Sequence, residues 1–215
     1  VAAAADLSLI AFGDQVAGCE RCALAETRTQ VVFGSGSPTA ELMFVGEAPG
    51  FHEDKQGVPF VGAAGKLLGT LLAGIGLTRE DVYVCNVLKC RPPGNRDPLP
   101  EEIQACESHL FRQIELISPT LVATLGNFAT KLLSGKPAGI TQVHGREQRV
   151  VLGGNDVTLY PIFHPAAALY TPRMLQVLEE DFARIPDLLG RQIEVVPAPQ
   201  PPVPHSEQPV QLGLF

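Results

Sequence analysis

The chain has 215 residues, 45% of them hydrophobic, and a formal net charge of −7. That length and apolar content allow one well-buried domain, and no run reaches the roughly 18 apolar residues of a membrane span. The acidic balance does not suggest bulk attraction to nucleic acid, so a local cluster of cations matters more for any such contact.

The first segment, Val1 to Ala5, is small and apolar but carries no basic flank, so no signal peptide is expected. Cys19 and Cys22 follow as a C-x2-C pair. Residues 41–46 read as a short buried strand running into the turn Gly46-Glu47-Ala48-Pro49-Gly50. Gly65 to Ile75 places Leu67, Leu68, Leu71, Leu72 and Ile75 at helical spacing, with Gly76 as the stop. Val82 to Leu88 is a second strand, and Cys85 inside it reads as a small packing residue. A basic, Pro-rich loop with Lys89, Arg91 and Arg96 comes next. Pro100-Glu101-Glu102 opens a helix in the usual order, proline first and acids in the first turn.

Leu121 to Leu125 is a third strand, Phe128 to Leu133 a short helix, and Val157 to Phe163 a fourth strand delivering His164-Pro165. A helix over Pro172 to Leu189 closes the domain, which is taken as residues 1–190. From Val195 the composition turns Pro-rich, so residues 191–215 are expected to be an extended tail.

Alternating strands and helices predict a three-layer α/β/α domain with a central, mostly parallel four-stranded sheet. Ligands of such sheets bind beyond the carboxyl ends of the strands. Glu47, Asn86 and His164 all fall there. The odd cysteine count with a C-x2-C pair favours metal in a reducing cytoplasm over disulfides. Cys19, Cys22, Cys90 and Cys106 are the ligand candidates. Zinc and an iron–sulfur cluster both remain open on spacing, the cluster tolerating scattered thiolates better.

Four motifs in this order resemble the iron–sulfur uracil-DNA glycosylases, family four of their superfamily. They are Gly46-Glu47-Ala48-Pro49-Gly50 with Glu53-Asp54, then Gly57-Val58-Pro59-Phe60-Val61-Gly62, then Asn86 with Lys89-Cys90-Arg91-Pro92-Pro93, and His164-Pro165-Ala166-Ala167-Ala168-Leu169. The resemblance implies a 4Fe–4S cluster on the four cysteines and hydrolysis of the glycosidic bond of an everted uracil in DNA, leaving an abasic site. Phe60 then stacks on the base, Asn86 reads its edge, His164 supports the departing anion, and Gly46 and Ala48 line the pocket. Glu47 is the carboxylate for water or the cationic sugar, with Asp54 as runner-up.

Lys89, Arg91 and Arg96 become DNA contacts, with Leu169 as a wedge and Tyr170 and Arg173 touching the backbone. The tail ending Gln211-Leu212-Gly213-Leu214-Phe215 resembles a bacterial sliding-clamp-binding peptide, which makes that clamp a partner and the source bacterial. A cytoplasmic, nucleoid-associated monomer with no membrane contact is the expectation. Two rivals make other predictions: a relative that traps uracil sites without turnover, and a non-enzymatic metal module recruited to the clamp. The trapping relatives carry an extra basic loop after the Gly-Glu-x-Pro-Gly turn. Phe51 to Phe60 runs through without one.

Overall fold

A computed structural model describes residues 2–190, with side chains from residue 8 onward. Eight α-helices and six strands are assigned within it: α1 Ala2–Ala17, β1 Ser35–Gly36, β2 Leu42–Gly46, α2 Phe51–Gln56, α3 Ala63–Gly74, β3 Tyr83–Asn86, α4 Pro100–Ile117, β4 Leu121–Leu125, α5 Asn127–Ser134, α6 Ile140–Val143, β5 Gln148–Leu152, β6 Asn155–Ile162, α7 Pro172–Ala183 and α8 Ile185–Leu188.

The strands form one sheet in the order β1-β3-β2-β4-β6-β5. The central four, β3-β2-β4-β6, are mutually parallel, and they are the four expected from the sequence. Every residue of β2, β3 and β4 is buried, as both-face coverage by helices requires. Side chains alternate between two cores. Met43, Val45 and Cys85 meet α4 through Leu110 and Ile114, whereas Leu42, Phe44 and Val84 meet α3 and α7 through Leu68, Leu72 and Phe182.

The sheet is two strands wider than expected. β1 adds antiparallel to β3, and β5 adds antiparallel to β6 across a Gly153-Gly154 turn with φ of +55° and +81°. Paired glycines at positive φ make the turn that matches strand twist, so a β-hairpin is the physical outcome. The expected closing helix is also interrupted. Pro186 has no N–H to offer the preceding turn, and the helix divides at Arg184 into α7 and α8.

Three strand ends converge on one edge. Gly46 pairs with Asn86 across β2 and β3, so Glu47 leaves the sheet beside the Asn86 side chain. β6, two strands away, hands the chain to His164. No helix among the described residues is long and apolar enough to cross a membrane. The clamp-like tail, with Gln211, Leu212, Leu214 and Phe215, lies outside the described residues.

Candidate active site

Glu47, Ala48, Phe60, Asn86 and His164 line a single cleft of about 350 Å³, joined by Glu53, Asn95 and Arg96. The sequence brings these groups from four separate stretches to one place. Gly46 contributes space rather than a wall: a Cβ there would lie 2.4 Å from Asn86 Oδ1 and 2.8 Å from Phe60 Cζ. Glycine is what lets the Asn86 carboxamide and the Phe60 ring close over the strand end.

Phe60 holds a left-handed backbone, φ +56°, which costs a side-chain-bearing residue about 1–3 kcal/mol and persists only where neighbours enforce it. Three contacts do so. Glu53 Oε1 accepts the N–H of Val61 at 3.0 Å and of Gly62 at 3.1 Å. Arg79 Nη2 donates to Pro59 O at 3.1 Å. The Phe60 carbonyl rests on Gly65, where a Cβ would meet its oxygen at 1.6 Å. The ring is thereby fixed against His164, centroids 5.5 Å apart and 27° from parallel.

His164 caps the short turn Pro165–Ala168, and its Nδ1 accepts the Ala166 N–H at 3.1 Å. With that lone pair engaged, the neutral ring carries its proton on Nε2 as a donor. Burial pulls the pKa down to about 4, with Glu53 opposing weakly, so the ring is neutral at physiological pH. Glu47 moves the other way. Burial raises its pKa and the charge of Asp97 adds to the effect, giving a carboxylate with more than ordinary proton affinity.

Asn86 is 2% exposed. Among the described residues no side chain hydrogen-bonds its carboxamide, which leaves both donor and acceptor for a ligand.

Two expectations need correction. Lys89 is not a phosphate contact: it is 1% exposed, and its Nζ donates to Asn86 O at 2.6 Å, turned inward beneath the cleft. Asp54 is not the reserve acid. It is buried and accepts the Thr29 N–H at 2.8 Å, a structural tie, while its neighbour Glu53 faces the cleft. Glu53 and Asp54 stand on one helical turn about 100° apart, and the sequence does not say which points inward.

Of the other cations, Arg96 lines the cleft while paired to Glu102 at 2.6 Å, and Arg91 Nε donates to Asn95 Oδ1 at 2.6 Å. Arg173 is exposed in the first turn of α7. In the loop before it Leu169 is half-buried, and the projecting side chain is Tyr170, 91% exposed.

Cys19, Cys22, Cys90 and Cys106 together line a second cavity. Cys85 is apart from it, at 0% exposure in the sheet core. Burial pushes the Cys90 thiol up to about 11 and raises that of Cys106. Ligating thiolates there need a cationic centre and N–H donors. The donors are present: Arg28 Nη1 lies 3.6 Å from Cys90 Sγ, the Lys89 backbone N–H 3.3 Å from Cys106 Sγ, and His109 Nε2 3.3 Å from Cys19 Sγ. His109, one helical turn beyond Cys106, was not read as part of this site from sequence. Its i+3 spacing is the signal that places it on the same face of α4.

A parallel α/β sheet with an acid, an amide and an imidazole around a slot walled by one aromatic ring defines a carboxyl-edge site for a flat polar ring. The family model of the uracil DNA glycosylase superfamily matches residues 33–185. A type-4 uracil-DNA glycosylase of Archaeoglobus fulgidus is 47% identical over 182 residues, 83% of this chain and 92% of the relative. Another, of Sulfurisphaera tokodaii, is 47% identical over 84% of each chain, and one of Thermotoga maritima is 48% identical over 73% and 80%. The chain belongs to the type-4 uracil-DNA glycosylases.

Proposed function

We propose that this cleft binds a single uracil turned out of DNA and hydrolyses its N-glycosidic bond, the first step of base excision repair. The observation that carries the reading is the meeting of Glu47, Asn86 and His164 around Phe60 in one cleft. A buried base must leave the duplex before its sugar bond can be reached, and a cleft of about 350 Å³ is large enough to take it. Phe60 supplies a stacking face. The Asn86 carboxamide matches the N3–H donor and O4 acceptor of uracil, and cytosine presents the reverse pair.

As the C1′–N1 bond lengthens, negative charge gathers on O2 and positive charge on the sugar. His164 Nε2–H donates to the first. Glu47 either takes a proton from the attacking water or offsets the second.

The experiment is uracil release from a uracil-containing oligonucleotide, followed by alkaline cleavage of abasic sites, for wild type and Glu47→Ala, Asn86→Ala and His164→Ala. Strand breaks with free uracil, reduced in each variant, support the reading. An intact but shifted band from the wild type would make the protein a trapping relative. The pH profile adds a second expectation. Glu47 acts ionised, so kcat/KM declines toward tenfold per pH unit below its raised pKa, and Glu47→Gln flattens that acid limb.

The four-cysteine cavity is read as the seat of a 4Fe–4S cluster. Cys19, Cys22, Cys90 and Cys106 line it together. Four sulfurs spread around one cavity suit a larger cluster better than a lone zinc. When bound, the cluster supplies a cross-link between the segment after α1, the loop after β3, and α4.

The tail is read as a tether for a bacterial-type sliding clamp, on its terminal Gln-Leu-Gly-Leu-Phe sequence. Residues 197–215 fused to an inert carrier should bind that clamp and lose binding when Leu214 and Phe215 become Ala. Absence of binding at about 50 μM, a binding free energy weaker than roughly −6 kcal/mol, would end this part of the reading.

A further inference from the structure

We infer that Phe51, Arg91 and Lys55 form a docking platform for an unpaired nucleotide next to the everted uracil, an assignment that rests on the uracil-DNA reading of the cleft. Phe51 opens α2 directly after Pro49 and Gly50, which line that cleft. Phe51 is 49% exposed, although phenylalanine is normally an interior residue.

Two cations lie over the ring, Arg91 Cζ at 5.1 Å and Lys55 Nζ at 5.9 Å from its centroid. Arg91 is held from its other side as well, through Nε to Asn95 Oδ1 at 2.6 Å. Both Asn95 and Pro92 line the cleft, so the guanidinium is fixed at its rim. The partner that fixes it is a neutral amide, and its charge is left for an anion. In a chain of net charge −7 such a local arrangement is what can engage a phosphate.

A half-exposed aromatic beside one fixed and one mobile cation is the chemistry that receives single strands, with the base on the part of the ring that the cations leave open and the phosphate on the cations. In a duplex the neighbours of an everted base stay paired and stacked, and the ring has no base to take. The platform therefore acts mainly on single-stranded substrate.

The test measures kcat and KM on one uracil-containing oligonucleotide, single-stranded and then annealed, for the full chain and for Phe51→Ala, Phe51→Trp and Arg91→Ala. Phe51→Ala should raise KM on the single strand about tenfold and on the duplex less than twofold, while Phe51→Trp keeps the wild-type value. Arg91→Ala should weaken both and reduce the log–log salt slope by about one. No change in Phe51→Ala, or equal change on both substrates, overturns the platform. Failure of the wild type to release uracil from either substrate overturns the function of the cleft instead.

Discussion

His164→Ala should lower kcat by about 10²–10³ with a much smaller rise in KM, a loss of about 2.7–4 kcal/mol of transition-state stabilisation. The reason is geometric. Nδ1 is committed to the Ala166 N–H, so the ring has one proton to give, on Nε2. The proposed recipient, uracil O2, gains charge only as the bond breaks, and an interaction of that kind acts on kcat rather than on binding. The ring also touches Phe60, but Glu53, Arg79 and Gly65 hold Phe60 from other sides, so the binding wall survives the truncation.

His164→Gln offers an amide N–H near the same place and should recover part of the loss. The low pKa sharpens the test. A ring that protonates only near pH 4 stays neutral across pH 5–8, and the wild-type kcat should show no limb from His164 in that window. A kcat that climbs as pH falls toward 4 would mean the imidazolium is the working form. A raised KM with unchanged kcat would reduce His164 to a wall of the pocket.

Much of this site was legible because sheet geometry is so constraining. Strands as uniformly apolar as Leu42–Val45 and Leu121–Leu125 have to lie in the middle of a covered parallel sheet, and the polar residues ending them then meet at one edge. That argument reached Glu47, Asn86 and His164 without coordinates.

It failed where direction within a loop or a helical turn decides. Lys89 sits in a run with Arg91 and Arg96 and reads as one of three surface cations. Only the bend after β3 turns its ammonium back to the Asn86 carbonyl. Glu53 and Asp54 are adjacent acids, and α2 gives the cleft to the first. β1 is two residues long, Ser35 and Gly36, with no side-chain pattern from which a strand follows. The strained φ of Phe60 left no trace in sequence beyond Gly62 and Gly65, whose reason is the close backbone approach at the second.

Cys106→Ala should strip the protein of iron, abolish its visible absorbance and lower its Tm by about 8–16 °C. Loss of a bound metal centre belongs among the few changes that cost about 4 kcal/mol or more, and a domain of this size moves about 2–4 °C per kcal/mol. Cys106 lies on α4, Cys90 follows β3, and Cys19 and Cys22 follow α1, so a centre bound there would close contacts that the sheet does not make. Cys85→Ala is the matched comparison. That side chain is fully buried in the sheet core, and its loss should leave the iron content whole while lowering stability by only about 1–2 kcal/mol.

The consequence for chemistry runs through Lys89. Its backbone N–H reaches Cys106 Sγ at 3.3 Å and its ammonium reaches Asn86 O at 2.6 Å, so one residue braces the strand end proposed to read the base against the cysteine cavity. Whatever Cys106→Ala protein remains folded should therefore bind uracil DNA more weakly and discriminate less well against cytosine. One zinc per chain in the colourless wild type would replace the cluster with a single ion. Full iron retention in Cys106→Ala would remove Cys106 from the ligand set.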